Sequence, residues 1–569
     1  MPKYRHMQKL IVFMGLLSVL LFPVSGGNQQ RTFGIHSEEW QQANALCRLA
    51  GVVGPSSSGP VTARELNIAL ERINPSRLTT EALDILHEIQ RQINEPYSLY
   101  ESPEFTFSLA PTLAFEGYMQ SRNDDVTQRD WIMPYKMRKP FLDIDLRMTA
   151  GQHFYGFFSY MLKAQNADAL AAKQFSHNLS GGIIQIQTMQ PFFTGFVAGG
   201  DAWNLSVARD RLSVGNGYTG NLFVGDNFSY QEYLKFTLCT NPFTYSFIMT
   251  HFDQQTGRTT LESFRFSGPH QQRISHRFSI NFANRVTFSV TDNTLFQTAS
   301  GFDIRMLNPF MFLHNYNNFQ QSSELSDGDE ANNFTGFELE IPLYPGWSFT
   351  AQGVLDQIQT PDETSHADKD IFPNAWGALA NVTGTWSTNG GILSAYVEGV
   401  YTSPYLYLNK KGRTDPDTGT WTPDWNYDLI VGYDIAGGPE LSYTGYIHGP
   451  DSMVCAIGTS YRVPRKWSVA AQLLYKAHGQ MGIDWQGDAS QHQELKTGVG
   501  HLHDISPTGI VEHTLQTTLS GKVRIIPGIV LDGSCGIIKR WNNHNIQERE
   551  WFDIQFAIGC AIDPVAIFL

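Results

Sequence analysis

The stretch RDRLSVGNGYTGNLFVGDN, residues 209–227, carries Gly215, Gly217 and Gly220 in G-x-G-x-x-G spacing. In a dinucleotide-binding unit such glycines let the backbone approach a pyrophosphate, and a helix N-terminus must follow to hold it. Here Asn221 to Asp226 form an extended run with another turn signal inside it. Upstream, Trp203, Leu205 and Val207 alternate with Asn204 and Ser206 as in a strand. With no βαβ unit around the loop, nucleotide binding is set aside. The glycines read instead as a tight loop with positive φ, or a close backbone approach, between two strands.

Polar residues crowd this loop. Arg209, Asp210 and Arg211 precede it; Asn221, Asp226 and Asn227 close it. Arg209 and Arg211 stand two apart and are expected on one strand face. If that face lines a lumen, the two guanidiniums form either a latch with nearby aspartates or a site for an anionic or hydroxyl-rich ligand. Glu338 and Glu340 also share a strand face. Two carboxylates can do glycosidic acid–base work, but neighbours on a polar face read first as solvated residues. His501, His503, Asp504 and His513 offer H-x-H-D spacing without a fixed fourth ligand, so no metal is expected. No nucleophile motif appears. The reading is therefore of a chain without catalytic residues or cofactor, not an enzyme.

The elements that must position these groups fall into unequal parts. Lys3, Arg5 and Lys9 precede an apolar run from Leu10 to Phe22, and Val24-Ser25-Gly26 supplies small residues at a cleavage site. Residues 1–26 thus read as a signal peptide, too short in its apolar core for a spanning helix and lacking a lipoprotein cysteine. The leader holds three basic residues, so the mature chain carries 37 Lys+Arg against 54 Asp+Glu, a net charge of −17. Such an acidic chain does not suit nucleic acid. The five cysteines (47, 239, 455, 535, 560) are scattered and contain no C-x-x-C, so neither a disulfide framework nor zinc is indicated.

Residues 27–99 read as a small helical domain. Ser37 to Ala50 is one helix, stopped by Gly51; Thr62 and Glu65 form a capping box for a second, broken at Pro75. Thr79 caps a third, with Leu78 and Leu83 as a hydrophobic staple. From residue 100 to 569 the period becomes 2. Leu142, Ile144, Leu146 and Met148 alternate with Asp143, Asp145 and Arg147; Phe278, Ile280 and Phe282 alternate with Arg277, Ser279 and Asn281; Phe552, Ile554, Phe556 and Ile558 do likewise near the end. Long bulky apolar faces opposite ionised ones, repeated without a domain break, predict an all-β transmembrane barrel of about 16–18 antiparallel strands in the outer membrane. The aspartates and arginine at 143, 145 and 147 should then point inward, because a charge facing lipid costs roughly 2–4 kcal/mol at mid-bilayer. A secreted β-sandwich or propeller array is the alternative that alternation alone leaves open.

The glycine stretch resembles the Arg-Asp-Arg-x-Ser-Trp-Gly-x-Gly-x-x-Gly-Asn-Leu signature of the Wzi-type capsule-assembly family, with Val214 where the signature has Trp, a departure that would remove a packing or stacking role there. NPFMFLHNY (308–316), GWSFTAQGVLDQI (346–358), YTSPYLYL (401–408), GYIHGPDSM (445–453) and SPTGIVEH (506–513) fit the same resemblance in order. It implies an outer-membrane barrel with helices at its periplasmic end that holds capsular or envelope polysaccharide as a lectin does. The candidate ligand residues are Arg209, Asp210, Arg211, Asn221, Asp226, Asp356, Tyr405, Tyr407 and Asp451. Asp356 and Asp451 could equally pair with lumen arginines, and Tyr401, Tyr405 and Tyr407 could equally form an interfacial aromatic girdle. Trp421, Trp425 and Tyr427 sit in an Asp/Gly/Thr-rich loop able to touch ligand from outside. The expected partners are polysaccharide and outer-membrane lipid, with the chain a monomer; the rival reading is a porin or substrate-specific channel.

Overall fold

The computed structural model describes residues 27–94, 99–102, 104–122, 131–164, 174–179, 186–187, 193–252, 270–298, 304–310, 330–358, 373–388, 390–414, 421–427, 429–434, 438–482 and 504–568. The signal-peptide reading, His501, His503 and residues 311–316 of NPFMFLHNY lie outside them.

The alternating segments form one closed antiparallel barrel of 18 strands. In chain order these are β1 (Phe105–Gln120), β2 (Leu142–Ala150), β3 (Phe154–Ala164), β4 (Phe193–Gly199), β5 (Trp203–Asp210) and β6 (Gln231–Cys239). Next come β7 (Phe243–Phe252), β8 (His270–Phe282), β9 (Val286–Thr298), β10 (Glu330–Tyr344), β11 (Trp347–Gln357) and β12 (Ala375–Thr388). The last six are β13 (Gly391–Thr402), β14 (Ser452–Val463), β15 (Trp467–His478), β16 (Glu512–Ile526), β17 (Ile529–Trp541) and β18 (Trp551–Ile562). Each pairs with its neighbours, and β18 closes on β1 with Cys560 opposite Phe115. Closure leaves no edge, the condition for strands to stand in hydrocarbon.

Alternation decides which side each residue faces. On β14 the residues Met453, Cys455 and Ile457 are exposed while Ser452, Val454 and Ala456 are buried. The outward face is apolar along the strands and aromatic at both ends. Trp203, Tyr344, Trp347, Trp386 and Trp467 lie near the end where strands join by short turns; Trp376, Tyr401, Tyr475 and Trp541 lie near the other. Two aromatic girdles around an apolar band are what a barrel surface in a bilayer requires. Of the described helices, none is long and apolar enough to cross a membrane.

Among the described residues, three α-helices precede the barrel: α1 (Glu38–Ala50), α2 (Ala63–Glu71) and α3 (Thr80–Asn94). The Ser37 side chain caps α1 at the amide of Trp40, and Gly51 ends it with φ 68°. Thr62 and Glu65 make the reciprocal capping box of α2, a contribution of about 1 kcal/mol. Trp40, Leu46, Leu66, Leu70, Leu86 and Ile89 bury one apolar face each against the others, with Ile392 of β13 added to the same core. Such a small bundle has little core of its own, and it is fastened to the barrel's short-turn end. Asn28 Nδ2 donates to the carbonyls of Gly151 and Phe154, both at 2.8 Å, and Arg48 Nε donates to Thr385 Oγ1 at 3.0 Å.

Candidate functional site

The glycine loop does not leave the barrel. It starts at Arg211, after β5, and folds into the lumen, where Leu212, Val214, Leu222, Phe223 and Val224 are almost wholly buried. Gly215 and Gly220 take φ of 124° and 137°, which side chains rarely tolerate. At Gly217 the reason is different: a Cβ there would lie 2.0 Å from the Gly220 carbonyl oxygen. Both functions foreseen for the glycines, positive φ and close approach, are therefore used.

The loop crosses the lumen. Asn293 of β9 donates to the Phe223 carbonyl at 3.2 Å, and Gln352 of β11 accepts from the Leu222 amide at 3.1 Å. Glu398 of β13 accepts from the amides of Tyr218 and Thr219 at 2.8 and 2.7 Å. As β13 stands seven strands from β6 in a ring of 18, the loop reaches nearly the opposite wall.

Two other segments meet it there. Residues 54–60, between α1 and α2, enter from the short-turn end: Ser58–Gly59 pairs with Ser213–Val214, and Gly215 N donates to Ser57 O at 2.9 Å. Lys235 Nζ, buried on β6, donates to the Ser58 and Pro60 carbonyls at 2.5 and 2.6 Å. From the long-loop end come residues 403–407 and 442–450. Tyr405, Leu406, Tyr407, Tyr443 and Tyr446 join Leu222, Phe223 and Val224 in one apolar cluster inside the barrel. Tyr407 Oη links the pieces, donating to Leu222 O at 2.8 Å and accepting from Tyr446 N at 2.9 Å.

This arrangement reassigns most of the candidate residues. Arg209 corrects the one-face reading: it follows Leu205 and Val207 on the outward face of β5 and pairs there with Glu232, its register partner on β6. Asp210 points inward and accepts from Arg211 N at 2.7 Å. Arg211 lies past the strand end, so alternation no longer applies to it, and its guanidinium grips Asp226. Asn221 is buried, accepting from Gly217 N at 2.8 Å and Gln352 Nε2 at 2.9 Å while donating to Ser213 Oγ at 3.0 Å. Asp356 accepts from Tyr407 N at 2.7 Å. Asp451, at φ 54°, accepts from Thr508 N at 2.9 Å, Thr508 Oγ1 at 2.6 Å and Met481 N at 3.0 Å. Backbone amides bind both carboxylates, and a threonine hydroxyl binds Asp451 as well.

Tyr405 and Tyr407 are not girdle residues. β13 ends at Thr402, and both rings turn into the lumen cluster, where burial raises their pKa values; Tyr405 also donates to Asp504 at 2.6 Å. Tyr401 keeps the outward position, 4.7 Å from Trp376. Val214 does pack, 1% exposed in the cluster, so the loss of a packing role inferred from the missing Trp is corrected. The solvated reading of Glu338 and Glu340 is corrected too. Glu338 is buried against Arg277 at 2.7 Å and accepts from Ser57 Oγ at 2.5 Å; Glu340 accepts from Gly54 N at 2.9 Å. The cavity beside them, about 50 Å³, has room for a few waters rather than a sugar ring. His513 points outward to Tyr475, and Trp421–Tyr427 pairs with Leu408–Thr414 as a hairpin.

No protein-family model matches the sequence, and no curated protein matches it. Among solved structures, one match is Wzi of Escherichia coli, described as an outer-membrane protein involved in group 1 capsule assembly and a carbohydrate-binding β-barrel. It is 12% identical, with a TM-score of 0.52 over 95% of this chain and 99% of that one. OprD of Pseudomonas aeruginosa (8% identity, TM-score 0.37, 80% and 95% covered) and the outer-membrane channel DcaP of Acinetobacter baumannii (9%, 0.34, 82% and 99%) match more loosely. The fold is that of an outer-membrane β-barrel, similar to Wzi over nearly the whole length of both chains.

Proposed function

We propose that this protein is an outer-membrane barrel that holds an envelope or capsular polysaccharide without covalent chemistry, its short-turn end and helices facing the periplasm. The observation that carries this reading is the packed partition across the lumen. Residues 211–224 span it from β6 to β13, and segments from both ends pack onto them. A diffusion channel needs a continuous aqueous path, whereas a binding scaffold gains from a rigid interior that holds its loops in place. Short turns on the periplasmic side and long loops outside are the usual polarity of such barrels. The carbohydrate binding and capsule assembly named for the similar barrel from Escherichia coli support the same reading.

The test is retardation of the folded, detergent-purified protein in gels containing the host's envelope polysaccharide, with heat-unfolded protein as control. Retardation of the folded form alone is expected. Absence of retardation, together with stable conductance steps in planar bilayers, would replace this reading with the channel.

A further inference from the structure

The inward wall of β12–β17 changes character at one level. Toward the long loops, Leu379, Val400 and Val454 of β12–β14 face the lumen and belong to the apolar cluster there, and the same level continues with Lys476, Thr514 and Arg540 on β15–β17. The turning point is Glu398, whose carboxylate is filled by the Tyr218 and Thr219 amides, the Thr219 hydroxyl and Asn381. Toward the short turns, the register places Thr383, Tyr396, Gly458, Gln472 and Thr518 side by side. The next inward level holds Thr385, Ser394, Ser460, Ala470, Ser520 and Ser534. Neither level carries an ionised side chain of its own; Arg48 of α1 reaches the edge of the second, at Thr385. Charge returns only one level further, with Arg462, Lys522 and Asp532.

An aromatic platform stands on this wall. A Cβ at Gly458 would lie 2.4 Å from the Tyr396 ring, so glycine lets that ring lie flat against the barrel. Tyr218 stacks on Tyr396 with centroids 3.6 Å apart and planes 3° apart. Tyr218 Oη shares a 2.9 Å hydrogen bond with Thr383 Oγ1, and Tyr396 Oη accepts from Gln472 Nε2 at 2.6 Å. The lumen's other tyrosines at 405, 407, 443 and 446 are at most 4% exposed, whereas Tyr218 is 38% exposed. Packing alone does not call for a ring fixed on one face and open on the other.

We infer that this platform and the hydroxyl wall beside it form an internal sugar-binding surface, which takes an uncharged, hydroxyl-rich segment of the glycan. A sugar ring has an apolar C–H face that lies on an aromatic ring, and hydroxyls at its edge that need partners able both to donate and to accept. Ser, Thr and Gln supply these. An apolar face with a few convergent polar groups is the general form of a small-ligand site. The ring is already immobilised at both hydroxyls, so little ordering entropy is lost on binding. This inference rests on the polysaccharide-binding reading above.

The experiment titrates the full-length protein, in detergent, with oligosaccharides released from the host's envelope polysaccharide by partial hydrolysis. Three variants are compared with wild type: Tyr218→Ala, Tyr218→Phe and Ser520→Trp, the last filling the wall away from the glycine loop. Tyr218→Ala should weaken binding about tenfold, equivalent to ~1.4 kcal/mol, and Tyr218→Phe about threefold or less, since the ring stays. Ser520→Trp should weaken it about tenfold or more, with the heat-induced gel shift of the folded barrel unchanged. If wild type binds and both Tyr218→Ala and Ser520→Trp bind equally well, the internal site is overturned while the polysaccharide reading stands. If wild type is retarded by neither whole polysaccharide nor fragments, the parent reading fails as well.

Discussion

Arg277 on β8 and Glu338 on β10 form an ion pair of 2.7 Å across the strand between them, and Ser57 from the helical part bonds to both. Each charged side chain is under 10% exposed. A barrel wall and the segment entering it are thus joined at one desolvated point. Removing one member leaves the other charge buried without its partner, a loss of roughly 3–5 kcal/mol. Glu338→Ala or Arg277→Ala should therefore lower the urea midpoint of the folded barrel and expose residues 27–94 to limited proteolysis. The double variant should recover part of the loss; strictly additive losses would show that the two residues are not coupled.

Arg209 and Arg211 should part company. The Arg209–Glu232 pair lies outside the barrel, 24% and 43% exposed, and such pairs contribute at most about 1 kcal/mol. Arg211 holds Asp226 inside the lumen. Arg209→Ala is expected to leave both polysaccharide retardation and stability close to wild type. Arg211→Ala should loosen residues 211–226, read as faster amide hydrogen exchange there. Equal effects of the two would contradict the assignment of opposite faces.

The misreading of these arginines shows where sequence periodicity stops. Strands of 7–16 residues announce themselves because each outward face must be apolar, and caps such as Thr62/Glu65 because their partners are three residues away. Alternation predicts a face only within a strand, and β5 ends at Asp210, one residue before Arg211. Tyr405 and Tyr407 fail for the same reason, three and five residues past the end of β13. What draws these segments inward is contact with residues far off in the chain: Leu222 with Tyr407, Ser58 with Val214, Tyr218 with Tyr396. No local pattern encodes such pairings. Tyr218 stood in plain view within the glycine stretch, but only the glycines on either side of it carried a recognisable spacing.

The glycine loop should govern permeability. A side chain at Gly217 meets the Gly220 carbonyl and Leu379 Cδ1, at 2.0 and 2.9 Å from the Cβ alone. The backbone carbonyl cannot yield without moving the loop from the wall. Wild-type protein in planar bilayers should show little or no steady conductance, and Gly217→Val should show frequent opening steps. Gly353→Ala on β11, where a Cβ meets nothing within 4 Å, serves as the control and should behave as wild type. A silent Gly217→Val barrel with a normal heat-induced gel shift would mean that the loop does not control the path.

Acid should weaken the long-loop side of the interior. His448 follows Tyr446, with their rings 5.4 Å apart, in the segment that packs over the glycine loop. Burial, with Lys476, His478 and Arg540 nearby, pushes its pKa down from 6.5 to about 3, the opposing pull of Glu512 being smaller. Its imidazole is thus neutral in the fold. In the unfolded chain it takes up a proton near pH 6.5, so the unfolded state binds more protons between the two values. Stability is then fully kept above pH 6.5 and lost progressively as the pH falls toward 3. His448→Gln, which cannot titrate, should flatten part of that fall. The check is the urea midpoint of both proteins at pH 7.5 and pH 5: wild type should drop by more than the variant, and parallel drops would assign the acid sensitivity to other groups.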